Sequence, residues 1–231
     1  MRSFKVLGGQ LTLFDGPEGY RPAEDSFWLS ALLPPVPEGS PVLDLGCGTG
    51  AVILSYALRH NTLKLFGIEH NIPMAEAAIQ ASEANAIPLN VKIGDALNHT
   101  HSDAFTLSFA NPPFYQQGRE DLPQTADKTN VRQTSNLTAW LKALLKATKQ
   151  GSYAALICHA ADAEDLQALA PALEASCIRL FYLKTSATKP AKRCVLVYQK
   201  QLGLACCSQT LNTYKPELRQ KALEKNLGLY S

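Results

Sequence analysis

Residues 41–50 read Pro41-Val42-Leu43-Asp44-Leu45-Gly46-Cys47-Gly48-Thr49-Gly50, and the fold is decided there. Pro41–Leu45 is a short apolar run that ends in a turn with glycine at alternate positions. Ala51–Arg59 then continues with helical spacing. A strand that passes through a glycine turn straight into a helix is the first half of a β-α-β unit. Glycine permits positive φ and lets another molecule approach the backbone closely. The helix N-terminus offers N–H groups without partners inside the helix. Gly46-x-Gly48-x-x-Ala51 matches the dinucleotide fingerprint, and Glu69 stands where that fingerprint carries its acidic residue, about 20 positions on. The element reads as a cradle for an adenosine-containing cofactor, and by itself does not separate a nicotinamide nucleotide from another one. The alternative is a tight strand-to-helix turn that binds nothing.

Outward from this turn, strand-like and helix-like stretches alternate. Lys64–Ile68, Leu89–Ile93 and Phe105–Ala110 read as strands, with the alanine-rich helix Pro73–Asn85 between the first two. Pro73 suits the first turn of that helix. Residues 116–134 are polar and aperiodic and read as a loop. Leu137–Thr148 has helical spacing, with Gly151 as its stop. Tyr153–Cys158, Ile178–Leu183 and Val195–Gln199 read as further strands, Glu164–Ala175 and Pro216–Asn226 as helices. Repeated β-α-β crossings imply an α/β, Rossmann-like fold, a mainly parallel sheet with helices on both faces. Residues 184–194 are too short and too polar for a crossover helix, so the last two strands are expected to pair as an antiparallel hairpin at one end of the sheet. In such sheets the site lies beyond the carboxyl ends of the strands.

Composition narrows the class. The chain has 231 residues, 46% hydrophobic and 18% charged, enough apolar surface for one sizeable core and too little charge for global disorder. One domain over 1–231 is expected. No uncharged apolar run approaches the roughly 18 residues of a membrane span. The start, MRSFKVLGGQLTLF, lacks the apolar stretch of a secretory signal. Six cysteines without a CxxC pair read as reduced, mostly buried thiols, hence a cytoplasmic protein, and no Cys or His spacing suggests a metal site. The net charge of +2 hides an asymmetry. Residues 1–127 carry 14 acidic and 7 basic side chains, a net −7, and residues 128–231 carry 15 basic and 6 acidic, a net +9. Between Glu174 and Glu217 there is no carboxylate at all. Such a stretch suits a polyanion, or is a solvated basic face without a partner.

The residues just after the strands specify the chemistry further. Glu69 suits a ribose diol, because a carboxylate accepts from both hydroxyls. Asp95, in Gly94-Asp95-Ala96, suits an adenine amino group, with Ala96 beside it; its alternative is an Asx turn or helix cap. Asp44, ahead of the glycines, suits a cationic amino group. A nicotinamide nucleotide has no such ammonium, whereas the methionine tail of S-adenosylmethionine does. Asn111-Pro112-Pro113-Phe114 follows the fourth strand. Two prolines fix φ at successive positions and hold the preceding residues extended, giving a stiff turn with outward carbonyls. Asn111 adds a side-chain acceptor and Phe114 an apolar ring. Together they fit a planar –NH2 on a flat π system; a purely structural Pro-Pro turn is the alternative.

DLGCGTG, GIEH, GDA and NPPF, in this order and spacing, resemble the class I S-adenosylmethionine-dependent methyltransferases, and more narrowly the branch that methylates exocyclic or amide nitrogen. Within that branch the chain is most similar to the bacterial tRNA (adenine-N6)-methyltransferases acting beside the anticodon of a valine tRNA. LGGQLTLFDGPEGYRPAEDSFWLSALL, NPPFYQQG and KPAKRCVLV add to the likeness, which covers about residues 1–200. The resemblance implies a seven-stranded, mostly parallel sheet with a reversed last strand. It also implies S-adenosylmethionine as cofactor and a tRNA substrate; the protein is expected to act as a monomer.

Cofactor binding then falls to Gly46, Gly48 and Gly50 of the turn, to Asp44, Glu69, Asp95 and Ala96, and to Tyr20, Arg21 and Asp25 in an N-terminal segment (residues 1–40) that closes over the methionine end. The alternative for that segment is a surface loop capping a helix over Ser26–Leu32. Residues 41–200 are the core and 203–231 a C-terminal extension. Asn111 Oδ1 and the Pro112 carbonyl would accept the two N–H bonds of the adenine amine while Phe114 stacks on the base. Lys128 and Arg132 after NPPF, and Lys189, Lys192 and Arg193 in the final hairpin, would hold phosphates. Guanine-N2 methylation of ribosomal RNA and glutamine methylation of a protein fit the same turn. The latter family usually carries a separate helical N-terminal domain, and only about 40 residues precede the glycines here. A nicotinamide oxidoreductase lacks its hydride-transfer constellation, and a regulator that binds the cofactor without transfer is disfavoured by Asn111.

Overall fold

The computed structural model describes residues 1–60, 62–113, 137–226 and 228–230. Its centre is the strand read first, β3 (Pro41–Leu45), whose last four residues are buried. Counting the N-terminal hairpin β1 (Ser3–Val6) and β2 (Leu11–Phe14), the further strands are β4 (Lys64–Glu69), β5 (Leu89–Ile93), β6 (Phe105–Ala110), β7 (Thr148–His159), β8 (Ser176–Lys184), β9 (Arg193–Gln199) and β10 (Cys207–Asn212). The main sheet runs β10-β8-β9-β7-β6-β3-β4-β5. β9 is antiparallel to both neighbours, and every other pair is parallel.

The β8–β9 hairpin is therefore present, but two expectations need correction. Among the described residues the sheet has eight strands, not seven, and the reversed strand is followed by β10, which returns parallel to β8 from Cys207↔Arg179 to Asn212↔Lys184. β10 reads Cys-Ser-Gln-Thr-Leu-Asn and buries only Leu211. An edge strand with one paired side carries no apolar run, so periodicity does not reveal it. The hairpin accordingly lies inside the sheet, with β9 between β7 and β8.

Strand alternation sorts side chains onto two faces. Val42, Ala155, Ile157, Val195 and Val197 face one core together with helices α1 (Glu24–Leu32) and α2 (Ala51–Ala57). Leu43, Leu45, Ala154, Leu156, Leu196 and Tyr198 face the other, beneath α4 (Leu137–Ala147) and α5 (Ala163–Leu169). α3 (Ile72–Ala84) starts on Asn71, whose side chain accepts from the Met74 N–H, with Pro73 in the first turn as the sequence predicts. The N-terminal hairpin is tied on by a side chain that imitates a strand: Asn85 Oδ1 accepts the Thr12 N–H at 2.9 Å and its Nδ2 donates to the Thr12 carbonyl at 2.7 Å.

Gly151 does not stop α4. The helix ends at Ala147 and β7 starts at Thr148, whose hydroxyl donates to the Leu144 carbonyl at 2.8 Å. Thr148 opposes Phe105 and Tyr153 opposes Leu107, so β7 bulges between them, and Gly151 supplies its positive φ of 74° to the bulge. The loop expected over residues 116–134 lies outside the described residues. Near the C-terminus the Arg59 guanidinium, its pKa lowered to about 10 by burial, bonds Ser30 and Asn226 and so fastens the chain end against α1 and α2.

Candidate active site

The carboxyl ends of β3, β4, β5 and β6 deliver the glycine turn, Glu69, Asp95 and Asn111 to one edge of the sheet. Gly46, Gly48 and Gly50 all have positive φ, at 70°, 55° and 80°. The reasons differ. A Cβ on Gly46 would stand 2.9 Å from the Trp140 ring, and one on Gly50 would press on Leu54 and Ala78 at 3.2 and 3.3 Å. A Cβ on Gly48 would meet nothing within 4 Å. Gly46 and Gly50 thus close the turn onto the helices, while Gly48 leaves its outer side open. Gly46→Ala should cost about 3 kcal/mol of stability, combining left-handed strain with overpacking, and Gly48→Ala about 1 kcal/mol from strain alone. Denaturant unfolding of the two variants checks the difference; equal losses would contradict it.

Glu69 is buried and braces the turn: Oε2 accepts the Gly48 N–H at 2.9 Å and Oε1 the Asn71 N–H at 2.8 Å. Oε1 also lies 3.2 Å from His70 Nδ1, which leaves Oε2 with a lone pair for a ribose hydroxyl. Asp44, 1% exposed, has an oxygen, Oδ2, without a partner. Burial, and secondarily the charge of Glu69, hold the Asp44 carboxyl well above the usual carboxylate range. An orphaned carboxylate oxygen is costly unless a donor arrives. Thr49 Oγ1, between two of the glycines, is likewise buried and unpartnered. Sequence reading missed Thr49, because the glycines around it explain the turn on their own.

Asn111 leaves the end of β6 with its Nδ2 donating to Ser26 Oγ at 3.0 Å, while Oδ1 is buried and without a partner. Ser26, on α1, was expected only as the start of a helix. Pro112 is buried beside it. Phe114, Lys128 and Arg132 lie outside the described residues. Asp95 caps the short turn Ala96–Asn98, accepting from the Leu97 N–H at 2.8 Å and from Asn98 Nδ2 at 2.6 Å, and Ala96 is buried. The capping alternative is thus the geometry observed.

Of the other predicted residues, Asp25 and Arg193 pair with each other. Arg21 pairs with Asp15 at 2.9 Å and lies 4.3 Å from the Phe4 ring centroid, so it holds the N-terminal hairpin. Tyr20 is half exposed, in the turn that Gly16 closes against Met74 of α3. Asp25 pairs with Arg193 at 3.0 Å, which joins α1 to the first residue of β9. Lys189 and Lys192 are exposed between β8 and β9, beyond the carboxyl end of β8. Among the described residues no cluster of His, Cys, Asp and Glu is arranged to hold a metal ion, and no helix is long and apolar enough to cross a membrane.

The donor set fits an adenosine cofactor with a cationic tail. An open glycine lies beside a buried carboxylate and a buried hydroxyl that both lack partners, with a braced acidic residue at the next strand end. Comparison with known proteins points the same way. Residues 26–135 match the methyltransferase small domain family. The chain is 26% identical over 205 residues, 87% of its length, to the tRNA1(Val) (adenine(37)-N6)-methyltransferase of Vibrio campbellii, 83% of which is covered. Among solved structures, a predicted O-methyltransferase from Agrobacterium tumefaciens superposes with a TM-score of 0.65 at 15% identity, over 85% of this chain and 94% of that one. A 16S rRNA N2 methyltransferase of T. thermophilus, in complex with S-adenosylmethionine and guanosine, gives 0.57 at 20% identity, over 87% of this chain and 50% of that one. With residues 26–135 matching that family model, the chain is a class I S-adenosylmethionine-dependent methyltransferase, resembling the tRNA1(Val) (adenine-N6)-methyltransferases.

Proposed function

We propose that the enzyme methylates an exocyclic amine of a nucleobase in RNA, namely adenine N6 in a tRNA anticodon loop. The observation that carries this reading is Asn111: a buried acceptor oxygen with no partner, at the strand end beside the glycine turn, its nitrogen already held by Ser26. An acceptor so placed suits an N–H donor, and the substrate named for the Vibrio campbellii relative is an adenine N6 of tRNA.

Each residue has a defined task. Asp44 takes the cofactor's ammonium, Thr49 gives its hydroxyl to the same tail, and Glu69 accepts from the ribose. The bound cofactor supplies an electrophilic methyl group. Asn111 Oδ1 and the Pro112 carbonyl accept the two N–H bonds of the adenine amine, which turns the nitrogen lone pair out of conjugation and toward the methyl carbon. Phe114 stacks on the base. Catalysis is then mainly positioning, with reacting atoms held about 3–3.5 Å apart. No side chain need act as a strong base, because the amine loses its proton after methylation. A loop nucleotide is already partly unstacked, so turning it into the pocket costs a few kcal/mol or less.

The basic face supports a polyanionic substrate. Lys184 ends β8, Lys189 and Lys192 follow it, and Lys215 follows β10, all at the carboxyl edge that holds Asn111. A cytoplasmic monomer with a single methyltransferase domain over 1–231 completes the proposal. Transfer of labelled methyl groups to bulk tRNA, ribosomal RNA and a release factor, followed by nucleoside mass spectrometry, tests it. The expected product is N6-methyladenosine in tRNA. Label in guanine N2 of ribosomal RNA, which the T. thermophilus neighbour favours, or in the release factor, would overturn it. Lys189→Ala with Lys192→Ala should weaken RNA binding and lower the slope of log K against log salt by about 0.7 per lost phosphate contact; an unchanged slope would remove these lysines from the interface.

A further inference from the structure

Three consecutive residues at the start of α1 hold three distant segments. Glu24 pairs with Arg219, Asp25 with Arg193, and Ser26 accepts from Asn111 Nδ2 at 3.0 Å. The two ion pairs are partly exposed, at 54% and 25% for the carboxylates. Ser26 is only 4% exposed, and its backbone is fixed by the bond from its N–H to the Ala23 carbonyl at 3.1 Å. The third contact is therefore a part-buried hydrogen bond between a rigid helix turn and the proposed acceptor side chain.

A carboxamide has nearly the same shape in its two flipped orientations but opposite polarity. One presents an oxygen acceptor, the other two N–H donors. At Asn111, Ser26 takes the nitrogen and leaves Oδ1 without a partner. The opposite orientation would set an NH2 against the substrate's own NH2, donor against donor. Pro112 fixes the backbone that follows but places no constraint on the amide plane.

We propose that Ser26 is a positioning residue for methyl transfer: its Oγ holds the Asn111 side chain in place at the end of β6, where Oδ1 can meet the acceptor amine. The proposal rests on the reading of Asn111 as the acceptor of the amine, and its test separates the two.

Ser26→Ala should lower kcat about tenfold, the scale of one hydrogen bond, while KM for RNA and the affinity for the cofactor stay within about twofold. Ser26→Thr keeps an acceptor oxygen and should recover most of kcat. On an Asn111→Ala background, Ser26→Ala should remove nothing further, because the bond it serves is already gone. Cofactor binding by calorimetry and melting temperature are measured for each variant, as a packing defect moves both. If Asn111→Ala keeps full activity, the underlying reading of the site fails. If Asn111→Ala is inactive and Ser26→Ala keeps full kcat, the positioning role is overturned and that reading stands. If Ser26→Ala and Ser26→Thr lose kcat alike, together with cofactor affinity and melting temperature, Ser26 only packs α1 and the proposal is likewise overturned.

Discussion

Asn111→Ala is expected to lower kcat about a thousandfold, roughly 4 kcal/mol of transition-state stabilisation, while the affinity for S-adenosylmethionine changes by less than about twofold. The asymmetry follows from where the residue sits. Asn111 leaves β6 and bonds α1 through its nitrogen, and its free oxygen is the only polar atom of its side chain left for a substrate. The cofactor-side groups, Asp44, Thr49 and Glu69, come from β3, the glycine turn and β4, and among the described residues none of them hydrogen-bonds Asn111. Losing the oxygen therefore removes an interaction with the acceptor amine and spares the donor site. Single-turnover transfer with calorimetric cofactor titration measures both quantities. Parallel loss of transfer and cofactor affinity would place Asn111 in the cofactor site and contradict its assignment.

Asp44→Asn should act in the opposite sense. The cofactor's ammonium loses its counter-charge, and affinity should fall about a hundredfold, within the range for truncating one partner of a buried charge pair. The free protein should nevertheless gain stability near neutral pH, because the variant buries an amide instead of a carboxylate that has an oxygen without a donor. The pH dependence has a definite sign. Asp44 has a folded pKa raised above its ordinary value of 3.8. Its contribution to stability is complete below that ordinary value and is lost as pH rises through the raised one. A bound ammonium favours the ionised form, so cofactor binding should release a proton, and affinity should climb with pH until the free enzyme's Asp44 is itself ionised. Calorimetry in buffers of different ionisation enthalpy reads that proton directly. A wild type with no proton release, or an Asn variant that binds as tightly, would remove Asp44 from the tail-binding role.

Much of the fold was legible because its strands are buried on both sides. The apolar runs of β3, β4, β6, β7 and β9 show in sequence, and the glycine turn after β3 marks where helix follows strand. β10 was not legible, since an edge strand with one buried side chain looks like loop, and its absence from the reading is why the strand count came out one short. Gly151 misled for a related reason: positive φ serves a helix stop and a β-bulge equally, and only the pairing of β6 with β7 distinguishes them. In the site, residues whose role is backbone geometry, such as Gly46 and Gly50, were visible from type and spacing. Ser26 and Thr49 were not, because a serine in a helix and a threonine in a glycine turn are ordinary until the structure shows one bonded to Asn111 and the other buried without a partner. Asp25 and Arg193, assigned separately to cofactor and RNA, prove to be each other's partner, a contact across 168 positions that no local pattern encodes.

The most direct test is a crystal structure of the enzyme with a non-transferring analogue of S-adenosylmethionine and an adenosine-bearing anticodon stem-loop. The exocyclic amine should lie within hydrogen-bond distance, about 3 Å, of Asn111 Oδ1, with its nitrogen facing the analogue's reactive centre beside the glycine turn. A complex in which the amine and Asn111 are separated by another group, or in which the analogue binds away from Asp44 and Gly48, would contradict the account.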